Sequence, residues 1–156
     1  MNDTTKVETA PPKRGCIVGT AGTYKLTPWD DSTLDIYGLN DGYILPGFKR
    51  ATGWFDLHPV SEMVFRTERR VDAATVPAGA YLRPQGHLDW LKTRPFPVFL
   101  QETHGWPNAQ VFPFEAIRQK YGSYFSSTPA WMLCWMLEQG YTEIHIYGIH
   151  LATEWE

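Results

Sequence analysis

Short apolar runs alternate along this chain with polar, turn-rich stretches, and most of the runs are too short to be helices. Gly15-Cys-Ile-Val-Gly-Thr20 predicts a first strand that runs into a Gly-containing turn. Asp35 to Asn40 predicts a second strand, ended by the turn signal Asn40-Asp41-Gly42. Gly53 to His58 predicts a third, stopped by Pro59; Phe96 to Gln101 predicts a fourth, and Glu143 to Ile149 a fifth. One segment has the marks of a helix. Thr128 stands as N-cap with Pro129 at the first helical position, Ala130 to Gln139 follow, and Gly140 supplies the stop. Trp131, Met132, Leu133, Trp135, Met136 and Leu137 make this helix apolar nearly all round, so it is expected to be deeply covered.

Residues 61–93 show no clear period, although Gly86 to Lys92 suits a short helix. Met1 to Lys13 are polar and include Pro11-Pro12, which predicts a flexible tail (1–13) ahead of one domain (14–156). There is no internal repeat. Apolar strands separated by helical or irregular segments predict an α/β fold: a Rossmann-like, mostly parallel sheet of about five strands with covering helices. The sequence ends at Glu156, directly after the fifth strand, where a parallel sheet ordinarily carries another covering helix. Either the protein is naturally short there or a C-terminal portion lies beyond this sequence.

Composition narrows the function classes. With 156 residues, 43% hydrophobic and 20% charged, the chain is the size and composition of one globular domain. Aromatic residues, at 15%, are numerous and spread along it. A net charge of -3 and a pI near 5.9 argue against an extended nucleic-acid-binding face, leaving local basic spots such as Arg66, Arg69 and Arg70. No apolar stretch approaches the ~18–20 residues of a membrane span, and there is no signal-peptide core, so no membrane association and a cytoplasmic location are expected. Cys16 and Cys134 sit in apolar runs and are expected to be buried thiols of a reduced protein.

In open α/β sheets ligands bind beyond the carboxyl ends of the strands, and polar residues recur at each of those ends here. The first strand leads into Gly19-Thr20-Ala21-Gly22, where missing side chains would let backbone amides approach a phosphate or ribose; a tight turn without ligand is the alternative. Neither a G-x-G-x-x-G fingerprint nor a P-loop is present. Asn40 and Asp41 end the second strand, and Asn40 carries both a donor and an acceptor for a base or sugar. Asp56 and His58, two apart, share a face at the end of the third, as acid, base or ligand, or simply bonding a loop. Gln101, Glu102 and His104 end the fourth. Ser126, Ser127 and Thr128 open the helix, where dipole and amides favour an anion. His150 ends the fifth strand, whereas His145 alternates with Ile144 and Ile146 and is expected on the face away from them. The five histidines and two cysteines show no zinc-ligand spacing, so no metal is expected.

Tyr124-Phe-Ser-Ser-Thr-Pro-Ala-Trp, continuing to Gln139-Gly-Tyr-Thr-Glu-Ile-His-Ile-Tyr-Gly-Ile149, resembles a stretch of bacterial Rossmann-like, metal-independent sialyltransferases. There a Ser-containing turn opens a buried helix, followed by a Gly-Tyr-x-Glu-Ile strand. Tyr37 to Asp41 is similar to the end of that family's second strand. Pro28-Trp29-Asp30-Asp31, Tyr37-Gly38-Leu39-Asn40 and Trp54-Phe55-Asp56-Leu57-His58 resemble, across most of the chain, a family of uncharacterised bacteriophage Rossmann-like proteins. The resemblance implies that Gly19, Asn40, Ser126 and Ser127 line a cytidine-nucleotide-like pocket without metal. His150 stands where the sialyltransferase strand would end in Asp.

The expected function is binding of a nucleotide or nucleotide-sugar, with glycosyltransferase-like activity. Catalysis would fall to His58 or His150, with His104 also in reach, one of them deprotonating an acceptor hydroxyl. Gly19, Thr20, Gly22, Asn40, Asp41, Asp56, Ser126, Ser127 and Thr128 are the expected ligand contacts. No cofactor is expected beyond the nucleotide as substrate or ligand. The alternative is a non-catalytic phage-encoded binder of a nucleotide or of a host protein, in host cytoplasm. A homo-oligomer is left open.

Overall fold

In the computed structural model, residues 11–66, 78–123, 125 and 127–150 are described. Eight strands follow in chain order: β1 (Arg14–Val18), β2 (Asp35–Leu39), β3 (Gly53–Phe55), β4 (Met63–Arg66), β5 (Tyr81–Pro84), β6 (Val98–Leu100), β7 (Ala109–Val111) and β8 (Glu143–Tyr147). The helices are α1 (His87–Lys92), α2 (Phe114–Tyr121) and α3 (Thr128–Glu138). Six strands form one parallel sheet in the order β7-β6-β3-β2-β1-β8, and β4 and β5 form a separate two-stranded parallel ladder. The fold is therefore Rossmann-like α/β, with few helices.

The path explains how the faces are covered. From β1 the chain steps outward through β2, β3 and β6 to β7, then crosses back to lay β8 beside β1. Parallel crossovers are almost always right-handed, so reversing direction moves the connection to the other face of the sheet. The packing agrees. Ile17, Tyr37, Phe55 and Phe99 pack under α3, whose Trp131, Met132, Trp135 and Met136 are buried against them. Val18 and Ile36 pack with Tyr24 and Leu34 on the opposite face, and Trp54, Val98 and Leu100 with Leu91 of α1.

Large rings extend the cover of the short helix α1 on that second face. Tyr43 stacks on Trp90 at 3.8 Å, Trp90 meets Trp54 at 4.8 Å, and Phe48 and Phe96 pack against the same group. Each aromatic side chain buries about 150–250 Å², so Trp90 of α1 with Tyr43, Phe48 and Phe96 from the adjoining segments covers what a longer helix would. The high aromatic content has this structural use. Where rings cross the sheet, glycine is required: a Cβ on Gly38 would run into the Trp54 indole, and one on Gly15 into Met136 and Tyr141 of the α3 side.

Several expectations are corrected. The main sheet has six strands, because Ala109–Val111 adds a short edge strand whose Gln110 and Val111 are exposed and so give no apolar run. The third strand ends at Phe55, with Asp56 to His58 beyond it. The N-cap of α3 is Ser127 rather than Thr128, which is the first helical residue. That helix is not covered all round: Leu137 is 45% exposed. Lys13, placed in the tail by sequence, is anchored, its carbonyl accepting from the Thr142 and Glu143 amides and its ammonium lying over the Tyr141 ring. The expected short helix is present as α1, and His145 shares a face with Tyr147, away from α3, bonding Glu143 at 2.6 Å. Cys16 and Cys134 are buried and free; burial pushes the Cys16 thiol up to about 12.

Candidate functional site

Asp56 is the centre of a buried polar cluster. It follows β3 directly, its N–H donates to the Phe99 carbonyl at 3.1 Å, and strand alternation turns its side chain to the Trp54 face. The residue is 0% exposed. A carboxylate taken out of water needs both charge and hydrogen bonds in return, and the fold supplies them from three separate segments. Arg83 of β5 forks onto it, Nε to Oδ2 at 2.8 Å and Nη2 to Oδ1 at 2.9 Å. His87 at the start of α1 reaches Oδ2 through Nε2 at 2.9 Å, and His58 reaches Oδ1 through Nδ1 at 2.7 Å. Burial by itself raises the pKa of such a carboxyl, but the bonds from His58, His87 and Arg83, with the Arg83 charge, outweigh it and hold Asp56 well below the usual carboxylate range.

An ionised carboxylate only accepts, and this orients both imidazoles. His87 must carry its proton on Nε2, so its Nδ1 accepts from the Tyr43 hydroxyl at 3.1 Å. Burial, with the charge of Asp41 adding to it, pushes the Tyr43 hydroxyl up to about 12 and keeps it a donor. His58 must carry a proton on Nδ1. Arg83 Nη2 lies 2.8 Å from the same Nδ1, and a bare Nδ1 could accept from it. That choice would press a lone pair against the Asp56 oxygen at 2.7 Å, which is the worse contact beside a full negative charge. The result is a continuous chain, Tyr43–His87–Asp56–His58. Its open end is His58 Nε2, which has no partner among the described residues; the ring itself is braced by Tyr81 of β5 at 3.9 Å.

His58 borders a cleft of about 170 Å³ at the ends of β3 and β6, lined also by Ser61, Leu100, Gln101, Glu102 and His104. Gln101 Nε2 donates to the Leu57 carbonyl at 2.9 Å, joining the two strand ends. His104 has φ +50°, a left-handed conformation that few non-glycine residues adopt.

A second cleft, of about 370 Å³, opens at the ends of β1 and β8 and is lined by Gly19, Thr20, Ala21, Leu39, Pro129, Gly148, Ile149 and His150. The chain leaves β1 in one direction along the sheet and arrives at β8 from the other, so this is where the strand order reverses and adjoining loops diverge. Two amides of the Gly19 turn are taken up by packing. The Gly19 N–H donates to the Tyr147 carbonyl at 2.9 Å and the Ala21 N–H to the Gly148 carbonyl at 2.8 Å, so neither amide is open to a phosphate. Gly19 is small because the Gly148 backbone lies against it; a Cβ on Gly148, where φ is +67°, would in turn sit 2.5 Å from the Gly19 carbonyl oxygen. The two glycines join the strand ends into the cleft floor. Gly22 is exposed at the start of a 3-10 turn and does not line it.

The remaining expected contacts divide between the two regions. Asn40 (φ +52°) bonds Arg83 Nη2 through Oδ1 at 3.3 Å and so joins the Asp56 cluster, while its carbonyl accepts from the Trp54 indole. Asp41 pairs with Arg66 at 3.6 Å. Ser127, the N-cap of α3, makes no side-chain capping bond, and the Pro129 beside it reaches the β1–β8 cleft. Ser126, Arg69 and Arg70 lie outside the described residues. Thus Asp56, His58 and Asn40 form one group; Gly19, Thr20, Pro129 and His150 form another.

Sequence reasoning missed Tyr43, Arg83 and His87. The available signal was Asp56 itself, a carboxylate inside Trp54-Phe-Asp-Leu57, which had to acquire a cationic partner. Its identity was hidden because Arg83 and His87 fall in the stretch without hydrophobic period. Among the described residues no group of three or more His, Cys, Asp and Glu side chains could hold a metal ion, and no helix is long and apolar enough to cross a membrane. Comparison of the chain with protein families, curated proteins and solved structures finds no match in any of the three.

Proposed function

We propose that this protein binds a nucleotide or nucleotide-sugar in the cleft between β1 and β8 and acts as a glycosyltransferase-like enzyme. The observation that carries the reading is the cleft's position. It lies beyond the carboxyl ends of a parallel sheet, at the point where strand order reverses, which is where open α/β sheets hold their ligands. Its volume of about 370 Å³ is within the range of small-molecule sites. The start of α3 borders it, and Ser127 leaves its hydroxyl unengaged in capping, so a phosphate there would meet a helix dipole and a donor. Thr20 and His150 supply further polar contacts, while Leu39 and Ile149 offer an apolar side for a base.

A thermal-shift panel of cytidine, uridine and adenosine nucleotides with their nucleotide-sugars tests this. A true ligand at 100 times its Kd stabilises by about 2.7 kcal/mol, a rise of roughly 5–10 °C for a chain of this size. Thr20→Trp, which fills the cleft from an exposed position, should remove the shift. If no compound on the panel raises Tm, the nucleotide reading is wrong.

A further inference from the structure

The hydrogen-bond chain that ends at His58 has a form that packing alone does not call for. Burying Asp56 needs one cation and a few donors, and Arg83 with His87 already satisfies three of its acceptor positions from inside the protein. His58 adds a fourth bond from the rim. It holds Nδ1–H on the carboxylate and leaves Nε2 without a partner among the described residues, beside a cleft, with its side chain 20% exposed. An imidazole oriented through Nδ1 by a buried carboxylate, with Nε2 free, is the arrangement in which histidine takes a proton from a hydroxyl.

We propose that the cleft between β3 and β6 is the acceptor site, that His58 Nε2 is the catalytic base there, and that Asp56, His87 and Tyr43 are positioning residues that fix the His58 tautomer. The acceptor is a neutral, hydroxyl-rich compound of about one sugar ring. The cleft's 170 Å³ equals roughly six waters at about 30 Å³ each, too small for a polymer segment to enter. Ser61, Glu102 and His104 offer hydrogen bonds, and the Glu102 carboxylate disfavours an anion. The inference rests on the nucleotide-sugar reading of the β1–β8 cleft for its donor. From the β1–β8 boundary to the β3–β6 boundary is three strand spacings, roughly 14 Å at about 4.8 Å each. A nucleotide extended along the sheet edge past Asn40 would bring its sugar toward His58. The acceptor O–H gives its proton to Nε2, its oxygen bonds the anomeric carbon, and the bond from that carbon to the phosphate oxygen breaks, the nucleotide leaving with the electron pair.

The test uses the full chain labelled with 15N-histidine. The ring nitrogens of His58 should show the Nδ1–H tautomer, and an Nε2–H tautomer overturns the proposal. Neutral monosaccharides (galactose, glucose, N-acetylglucosamine) at tens of millimolar should shift the His58 and His104 signals, whereas inorganic phosphate should not. Absence of any sugar-dependent shift overturns the acceptor site. His58→Gln, at a partly exposed position that should keep the fold, is expected to leave nucleotide affinity unchanged and lower turnover of a bound nucleotide-sugar about 10²–10⁴-fold. Full turnover in that variant also overturns it. If no nucleotide binds, the donor reading fails by itself, and the tautomer and sugar titrations still decide the acceptor site.

Discussion

At the scale of single residues, the Asp56–Arg83 pair carries the most consequence. Removing one partner of a buried pair leaves the other charged and desolvated, at a cost of about 3–5 kcal/mol. Asp56→Ala should therefore lower stability by that order, measured by urea unfolding at neutral pH. The pH dependence follows from the carboxyl's depressed position. A carboxylate whose acidity is strengthened by folding stabilises the protein above its unfolded value, about 3.9, and that contribution is lost as pH falls below it. The gap in melting temperature between wild type and Asp56→Asn should hold steady from neutral pH to about 5, then narrow under more acid conditions. A gap that widens on acidification would show that Asp56 is not held as the anion.

Elements are joined at the site by glycines and turns, and the two glycines nearest Gly19, Gly148 after β8 and Gly22 in the first turn, are not equivalent. Gly148 has φ +67° and faces the Gly19 backbone, whereas a Cβ on Gly22 would meet nothing within 4 Å. Gly148→Ala should cost about 2 kcal/mol or more, from the left-handed backbone together with the clash. Gly22→Ala should be neutral or stabilise by about 0.4–1 kcal/mol through the unfolded chain. Thermal melts of the two variants separate a turn built for strand packing from one built for ligand approach. Equal losses in both would show that Gly22 is also required by the fold. The β4–β5 ladder is the other element whose standing depends on a side chain. Two strands alone are marginal in water, and Arg83 ties this pair to the end of β3. Hydrogen exchange should be slowest in β1, β2 and β3, and Asp56→Ala should speed exchange in β4 and β5 far more than in the main sheet.

For the whole molecule, the division between the legible and the illegible has a physical cause. A strand buried on both faces must be apolar throughout, so β1, β2, β3 and β6 stand out in the sequence; edge strand β8 shows instead by Ile144 and Ile146 alternating with other residues, and Thr128-Pro129 with Gly140 bounds α3 to within a residue. Parallel class followed from those runs. So did the list of polar residues at strand ends, since the fold class alone says which ends face a ligand. Edge strand β7 and the β4–β5 ladder bury too little surface to leave such a pattern. Strand order, and with it the reversal between β1 and β8, belongs to pairing across long separations: Arg14 to Val18 register against Glu143 to Tyr147. Likewise, the residues meeting at Asp56 come from the ends of β2 and β3, from β5 and from α1, with hydrogen-bonded partners up to 44 positions apart. By itself, then, the sequence determined an α/β sheet with Asp56, His58 and Asn40 at the carboxyl ends of its strands, because local burial dictates residue type. Only the tertiary structure decided that Gly19 is engaged in packing against Gly148, and that Arg83, His87 and Tyr43 orient His58. Those roles depend on which distant groups satisfy a buried charge, and no local pattern records that.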